Sequence, residues 1–160
     1  MSEETRDRLA AVTLDEASLP NASANAEHER RIALFDLIES NSFAVEGAAA
    51  GPYALMLGLE DARLVMNITS ADSGAPVAIQ HLSLGSLRKL IKDYFLICDS
   101  YYAAIRDASP SQIEAIDMGR RGLHNEGAEL LAHALDGKFK VDRETSRRLF
   151  TLICALHSKA

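Results

Sequence analysis

VAIQHLSLGSLRKLIKDY, residues 77 to 94, contains the point at which the hydrophobic pattern of this chain changes its period. Up to Leu84 apolar and polar residues largely alternate, which is typical of a strand with one buried face. After Ser86 the apolar residues recur every three or four positions, as they do in a helix with one buried stripe. The change predicts three consecutive antiparallel strands within residues 53 to 84 and helices after residue 86.

The alternation extends upstream into a β-hairpin. The apolar positions of residues 53 to 59 share one face, a tight turn follows near Asp61, and the pattern continues on a second strand. The residues on this face are Tyr53, Leu55, Leu57, Leu59, Leu64, Met66 and Ile68. In the third strand the apolar positions change face between Ile79 and Leu82, and a β-bulge would reconcile them. A short edge strand is also predicted at residues 9 to 14.

Four helices are predicted, centred near residues 34, 97, 122 and 150. The first spans residues 26 to 41 and carries Ile32, Phe35 and Ile38 near one face. A flexible loop is expected from residue 42 to Pro52. The second helix carries one long stripe, made up of Leu87, Leu90, Ile91, Tyr94, Cys98, Tyr101 and Ile105.

Local signals mark the ends of the last two helices. Ser109, Pro110 and Gln112 supply an N-cap, a first-turn proline and a capping-box partner, and Asp136 with Gly137 closes that helix. Asp142 is predicted to cap the final helix. The expected fold is α+β, with a small antiparallel sheet of three to four strands packed against about four helices. The element order is β-α-β-β-β-α-α-α, in one domain over residues 1–160 with residues 1–7 disordered.

Composition narrows the class of protein. The chain has 160 residues, of which 48% are apolar, enough for a core without disulfides or metal. No apolar run is long enough to cross a bilayer and the start MSEETRDR lacks signal-peptide features, so a cytoplasmic protein without membrane contact is predicted. The net charge of −6 argues against nucleic-acid binding. Because residues 81–160 carry a net positive charge, any anionic partner would meet that half, although alternating charges on soluble helical surfaces explain the balance more simply.

The two cysteines, Cys98 and Cys154, lie within apolar helical segments. Thiols in such positions behave as small hydrophobic groups, so both are predicted to be buried and unpaired. The histidines form no pair with metal-ligand spacing, and phosphate-loop and dinucleotide motifs do not occur. Neither a metal site nor a cofactor is predicted.

IDMGRRGLHNEG, residues 116 to 127, concentrates polar residues and glycines inside a predicted helix. Three glycines there indicate either the close approach of a neighbouring element or a break in the helix. The expected core stripe of this helix is Ile113, Ile116, Arg120, Leu123, Gly127, Leu130 and Ala134. Arg120 on this stripe needs a carboxylate partner, such as Asp93 or Asp99, or a bound anion.

A second set of polar residues lies on the adjacent face. Asp117 and Arg121 are spaced for an i, i+4 ion pair, and His124 lies one turn beyond, where it would act as a base, an anion ligand or an interhelical hydrogen bonder. If Arg120 forms a buried pair, its loss is expected to cost about 3–5 kcal/mol, against about 0–1 kcal/mol for Arg121.

Three segments resemble the uncharacterised bacterial family UPF0262, found mainly in alphaproteobacteria. They are KDYFLICDSYYAAIR, SPSQIEAIDMGRRGLHNEGAELL and TSRRLFTLICALH, and EHER at Glu27 and GPY at Gly51 extend the similarity over nearly the whole chain. The resemblance implies a small cytoplasmic bacterial protein and carries no activity or catalytic residue. Against the pattern of the family, Asp99 stands where glutamate is expected and Ser158 where tryptophan is expected.

Two functions fit these observations. The favoured one is a non-enzymatic binding or regulatory module that offers a polar cluster to a small anion or a protein partner. The cluster comprises Arg120, Arg121, His124, Asn125 and Glu126. The alternative is a hydrolase or transferase acting on a phosphorylated or carboxylated small molecule, with His124 or Glu126 as the base. A homodimer is left open.

Overall fold

The computed structural model describes residues 6–20, 23–61 and 63–157, without the side chain of Asn25. The strands in these ranges are β1 (Leu9–Leu14), β2 (Phe43–Val45), β3 (Tyr53–Glu60), β4 (Arg63–Ser70), β5 (Pro76–Ser83) and β6 (Phe139–Val141). The helices are α1 (Ala24–Glu39), α2 (Gly85–Asp107), α3 (Pro110–Leu135) and α4 (Arg143–His157), with a 3-10 turn at Glu16–Ser18. The predicted α+β class and the four helix positions are confirmed. Residues 1–5, which make up most of the segment predicted to be disordered (residues 1–7), lie outside the described ranges.

The main sheet has the order β1-β3-β4-β5. The predicted hairpin is confirmed, since β3 and β4 pair antiparallel and Asp61 forms the turn with a positive φ of 55°. The short edge strand at residues 9–14 is confirmed as well. The prediction of a purely antiparallel sheet is wrong, because β1 pairs parallel with β3. The chain crosses through α1 between these two strands, so β3 runs in the same direction as β1.

The predicted bulge exists in β5, close to its start. Ile68 pairs with Ala78 and Thr69 with Pro76, so the register skips Val77. Beyond the bulge, Leu82 is buried at 3% exposure while Ile79 points to solvent at 63% exposure. The bulge therefore precedes Ile79 and does not lie between Ile79 and Leu82, as the apolar pattern had indicated.

The segment from residue 42 to Pro52 is not the uninterrupted loop that the sequence indicated. It begins with β2, which pairs antiparallel with β6 so that Phe43 lies opposite Val141. The rings of Phe43 and Phe139 pack with centroids 5.0 Å apart, and both side chains are buried. Strand β2 has only three residues and its partner lies far along the chain, so no local sequence pattern predicts it.

The helices pack on one another, with α4 in the centre of their contacts. It contacts both α1 and α3, and α3 also contacts α2. The predicted capping box is confirmed, because Gln112 N donates to Ser109 Oγ and Ser109 N donates to Gln112 Oε1. Asp142 accepts from Thr145 N at 2.8 Å and caps α4 as expected.

Two predicted helix faces are right only in part: Ile38 of α1 and Leu123 of α3 pack against the core, and Gly127 is buried. In α1, Ile32 and Phe35 are 48% and 65% exposed, and the buried positions are instead Ala26, Arg30, Ala33 and Leu37. In α3 the stripe turns by one residue after Gly127, so that Leu131 is buried and Leu130 is 38% exposed. Ile105, at the end of the predicted stripe of α2, is also exposed. Periodicity indicates that a stripe exists, but apolar residues on other faces of α1 and α3 leave the choice of the buried face to tertiary contacts.

Candidate functional site

The glycine-rich helix α3 is continuous, and close approach accounts for two of its glycines. A Cβ on Gly127 would overlap the ring of Phe150 in α4. A Cβ on Gly119 would lie 2.8 Å from Ile97 Cδ1 in α2. Gly122 has no neighbour within 4 Å of such a Cβ, and nothing in the structure explains it.

A cleft of about 560 Å³ opens between α1, α2, α3 and α4. Its volume falls within the range of ordinary small-molecule sites. The walls are mainly apolar and aromatic, with acidic side chains and one arginine. The lining residues are Glu29, Ile32, Ala33, Asp36, Tyr94, Phe95, Cys98, Asp99, Tyr102, Arg120, Thr151, Cys154, Ala155 and His157.

Arg120 brings positive charge to this cleft. Its Nη2 lies 2.6 Å from Asp117 Oδ1, its Nε donates to the same oxygen at 3.2 Å, and its guanidinium lies 5.0 Å from the centre of the Tyr101 ring. The expected pairing with Asp93 or Asp99 is wrong, because Asp117 is one turn away on the same helix and reaches the guanidinium first. The Arg120 side chain is 34% exposed, so the pair is only partly desolvated.

Asp117 is shared by two arginines. Its Oδ2 lies 3.0 Å from Arg121 Nη2, which confirms the predicted i, i+4 pair, and the Arg121 side chain is 72% exposed. The hydrogen bond from Arg120 holds the pKa of Asp117 below its ordinary value, and the same bond raises the pKa of Arg120. Two guanidinium groups and one carboxylate leave one net positive charge in the trio Asp117, Arg120 and Arg121.

His124 lies behind the cleft wall. Its Nε2 is 2.7 Å from Thr151 Oγ1, and the Thr151 hydroxyl itself donates to the Arg147 carbonyl. Because a hydroxyl has one proton to donate, Thr151 accepts from His124, which assigns the proton of the neutral imidazole to Nε2. The ring packs against Tyr94 and Phe150, and burial, followed by the charges of Arg147 and Arg120, lowers the pKa of His124.

The other two predicted site residues point elsewhere. Asn125 Oδ1 accepts from Arg147 Nη1, and Asn125 lines a separate hollow of about 360 Å³ between α3 and α4. Glu126 is exposed and lines neither space. The structure therefore divides the predicted cluster: Arg120 faces the cleft, His124 supports its wall through Thr151, and Asn125 opens on the other side.

Both cysteines belong to the cleft wall. Cys154 is buried and unpaired as predicted, whereas Cys98 is only half-buried, which corrects the expectation for that thiol. Burial raises the pKa of each thiol, and it also raises the pKa of the neighbouring Tyr94 hydroxyl. These groups are therefore neutral near pH 7 and present hydrogen-bonding but uncharged surface to the cleft.

Sequence reasoning missed the acidic rim of the cleft. Glu29 and Asp36 flank Ile32 on α1, and Asp99 lies on α2. The spacing of the α1 residues places them on one helix face, but that face had been assigned to the core. Asp99, where the sequence predicts a departure from the family pattern, lies on this rim, and Ser158 is outside the described residues.

A metal-binding cluster and a membrane-spanning helix are both absent from the described residues. Within residues 6–20, 23–61 and 63–157, no group of three or more His, Cys, Asp or Glu side chains is arranged to hold a metal ion. In the same ranges, no helix has the length and apolar character needed to span a membrane.

Comparison with known proteins finds similarity along almost the whole chain. Residues 6–159 match UPF0262, described as an uncharacterised protein family. A UPF0262 protein of Azorhizobium caulinodans is 61% identical over 154 residues, covering 96% of this chain and 95% of the relative. One from Xanthobacter autotrophicus is 60% identical over 153 residues, covering 95% and 93%, respectively. No solved structure matches the chain.

Proposed function

This chain belongs to UPF0262, an uncharacterised protein family, and we propose that it is a non-enzymatic binding module for a small organic anion. The proposed site is the cleft between the four helices, and the proposed anchor is Arg120. The ligand has an apolar body that fits the aromatic walls and one carboxylate or phosphate group. We place this activity in the bacterial cytoplasm.

One observation carries the proposal: the partly exposed Arg120 guanidinium lines the cleft and belongs to a trio with one net positive charge. A carboxylate between two arginines cannot neutralise both. An anionic group on the ligand would complete the charge balance, and the planar guanidinium suits two-point contact with carboxylate or phosphate. Among the charged side chains that line the described part of the cleft, Arg120 is the only arginine or lysine.

The acidic rim would orient the proposed ligand in the cleft. Glu29, Asp36 and Asp99 would repel a second anionic group and would accept hydrogen bonds from hydroxyl or amino groups. The proposed ligand is therefore monoanionic, with its charge toward α3 and its hydrogen-bond donors toward α1 and α2. A polyanion such as a nucleoside triphosphate fits this distribution of charges in the cleft poorly.

The hydrolase or transferase alternative requires His124 or Glu126 to act as a base on a bound substrate. His124 donates from Nε2 to Thr151, and burial favours its neutral form. Neither His124 nor Glu126 lines the cleft that contains Arg120. The distances between groups therefore support binding better than this reaction, since a base must come within hydrogen-bond reach of the proton that it removes.

A thermal-shift experiment with defined probes tests the proposal. The probes are benzoate, indole-3-acetate, phenyl phosphate and inorganic phosphate, with benzylamine as a cationic control. An aromatic anion should raise the melting temperature of the wild type and of Arg121→Ala, because a ligand of the native state stabilises it. Arg120→Ala should lose the response. The proposal fails if no aromatic anion shifts the wild type, or if Arg120→Ala responds as the wild type does.

Thiol labelling supplies an independent readout of the same cleft. Cys98 is half-buried on the cleft wall, whereas Cys154 is 3% exposed. A small maleimide should label Cys98 slowly at pH 8 and leave Cys154 unlabelled in the native protein. A probe that shifts the melting temperature should further slow the labelling of Cys98. Unchanged labelling in its presence would place the bound probe outside the cleft.

A further inference from the structure

The two edge strands of the main sheet, β1 and β5, differ in how well their outward backbone groups are covered. An edge strand presents backbone N–H and C=O groups that can pair with another chain, and proteins usually cover, charge or distort such edges. At β1 the backbone groups of Leu9 are taken by Asn41, whose Oδ1 accepts from Leu9 N at 2.7 Å and whose Nδ2 donates to Leu9 O at 3.0 Å. A register irregularity between Leu9 and Ala11 further distorts this edge, and α1 packs beside the strand.

Among the described residues, the opposite edge, β5, carries a proline and a bulge only at its start. Pro76 and the bulge at Val77 occupy its first two positions. From Ala78 to Ser83 the sequence AIQHLS contains neither proline nor lysine, arginine or a carboxylate. Ile79, in the middle of this run, is 63% exposed. Gln80 Nε2 donates to the His81 carbonyl at 3.2 Å, an exposed bond that a paired strand could replace.

We propose that β5 pairs antiparallel with β5 of a second copy of this chain, about a two-fold axis at Gln80. The two four-stranded sheets then form one sheet of eight strands. Centring the pairs on Gln80 places Ala78 opposite Leu82 of the other copy and Ile79 opposite His81. Directly opposed residues in an antiparallel pair project to the same face, and this register keeps the inner and outer faces of both sheets aligned.

Charge complementarity identifies a second copy as the occupant. Asp72 lies in the turn before β5, and Arg88 and Lys89 lie in the first turns of α2, just after the strand; all three are exposed. Antiparallel pairing brings the start of one strand next to the end of the other, so Asp72 of each copy approaches the basic pair of its partner. The contact occurs twice. At the centre Ile79 and Gln80 carry no charge, and His81 Nε2 lies 3.7 Å from Glu60 Oε2 of the same chain.

Sedimentation velocity on the wild type and two matched variants tests this interface. The wild type should change from monomer to dimer between about 1 and 200 μM, as expected of a small interface. Ile79→Lys, which places a charge on the edge, should remain monomeric. Met56→Lys alters another exposed residue of the outer face, on β3 and two strands from β5, with 45% exposure against 63% for Ile79, and should dimerise like the wild type.

Circular dichroism and melting curves establish that both variants fold. A wild type that stays monomeric at the highest concentration overturns the proposal, as does an Ile79→Lys variant that dimerises normally. Loss of the dimer in Met56→Lys would also overturn it, since packing of sheet faces would then hold the copies together. Hydrogen exchange adds a direct readout: in the dimer, amide protection should increase within Ala78–Ser83.

A charge exchange tests the direction of pairing. Asp72→Lys should raise the dissociation constant several-fold, because lysine would then face Arg88 and Lys89 of the partner. Adding Arg88→Glu and Lys89→Glu to the same chain should restore dimerisation. If the triple variant associates no better than Asp72→Lys alone, the antiparallel register centred on Gln80 is wrong.

Discussion

Two turns of the same helix, α3, meet opposite conditions. At Gly127 the backbone is so close to Phe150 that a single added carbon would overlap the ring. At Arg120, two turns earlier, the helix lines a cleft of about 560 Å³. Close packing makes the first position sensitive to one methyl group, whereas open space makes the second tolerant of truncation. Folding stability and the proposed ligand binding are therefore expected to depend on different parts of one element.

The largest effect is expected on the closed side, at Phe150. Its side chain is fully buried and contacts the rings of Tyr94 and His124. Phe150→Ala should lower the free energy of unfolding by about 3–5 kcal/mol, through lost burial and the cavity left behind. Phe35→Ala is the matched control, since Phe35 is 65% exposed and its loss should change stability by less than about 0.5 kcal/mol. Urea unfolding compares the two, and equal losses would contradict the contrast.

The glycines of α3 provide the next contrast. Gly127→Ala should destabilise by about 1–3 kcal/mol, because the added methyl group must displace the Phe150 ring. Gly122→Ala meets nothing within 4 Å and should stabilise the helix by up to about 1 kcal/mol. Urea unfolding measures both changes. Combining Gly127→Ala with Phe150→Leu tests the cause, because the smaller side chain should relieve part of the clash and the two losses should not add.

On the open side, Arg120→Ala should cost less than about 1 kcal/mol in the free energy of unfolding. The Arg120 side chain is 34% exposed, and Asp117 keeps Arg121 as a partner when Arg120 is removed. The partial exposure of Arg120 therefore lowers the expected loss in the free energy of unfolding, which would be about 3–5 kcal/mol for a fully buried pair. Arg121→Ala should cost a similar amount in urea unfolding, so the two variants separate only in their response to aromatic anions. A loss above about 3 kcal/mol for Arg120→Ala would indicate a structural role instead.

The smallest effect is expected in the pH dependence of folding stability that is due to His124, which lies between Arg120 and Gly127 on α3. Its folded-state pKa is lowered by burial, so the unfolded chain binds the proton more readily. Stability from the neutral ring is present above the unfolded pKa of about 6.5 and is lost as pH falls below it. His124→Gln should therefore lose less stability than the wild type between about pH 8 and pH 5. His28→Gln, at an exposed position of α1, should retain the wild-type dependence. Parallel curves for all three proteins would show that His124 does not contribute.

Several elements were predictable because their information is local. The hairpin of β3 and β4 needs only the alternation of apolar residues about Asp61, and the start of α3 needs only Ser109, Pro110 and Gln112. The pair between Asp117 and Arg121 also follows from helix spacing alone. Each of these signals lies within a few residues of the structure it determines, so no knowledge of distant neighbours is required.

The candidate site was predictable only in part, for a reason that Arg120 and Ile32 illustrate. The polar segment of α3 correctly indicated that Arg120 would need a counter-charge, but Asp117 was the partner and the cleft was not foreseen. Ile32 on α1 lines the cleft and stays exposed, whereas Arg30, on another face, is buried, where it donates to the Ala155 and Leu156 carbonyls at the end of α4. Because Arg30 is buried, the face of α1 that packs on the core differs from the face that apolar periodicity predicts.

The sequence by itself determined the class of fold, the positions of the four helices, the hairpin and the caps, because backbone conformation and helix ends respond to neighbouring residues. The tertiary structure decided which stripe of α1 and α3 faces the core, how β1 joins the sheet, that β2 and β6 pair, and which polar residues share the cleft. These outcomes depend on contacts between segments far apart in the chain. Close packing selects one arrangement among several that local patterns allow.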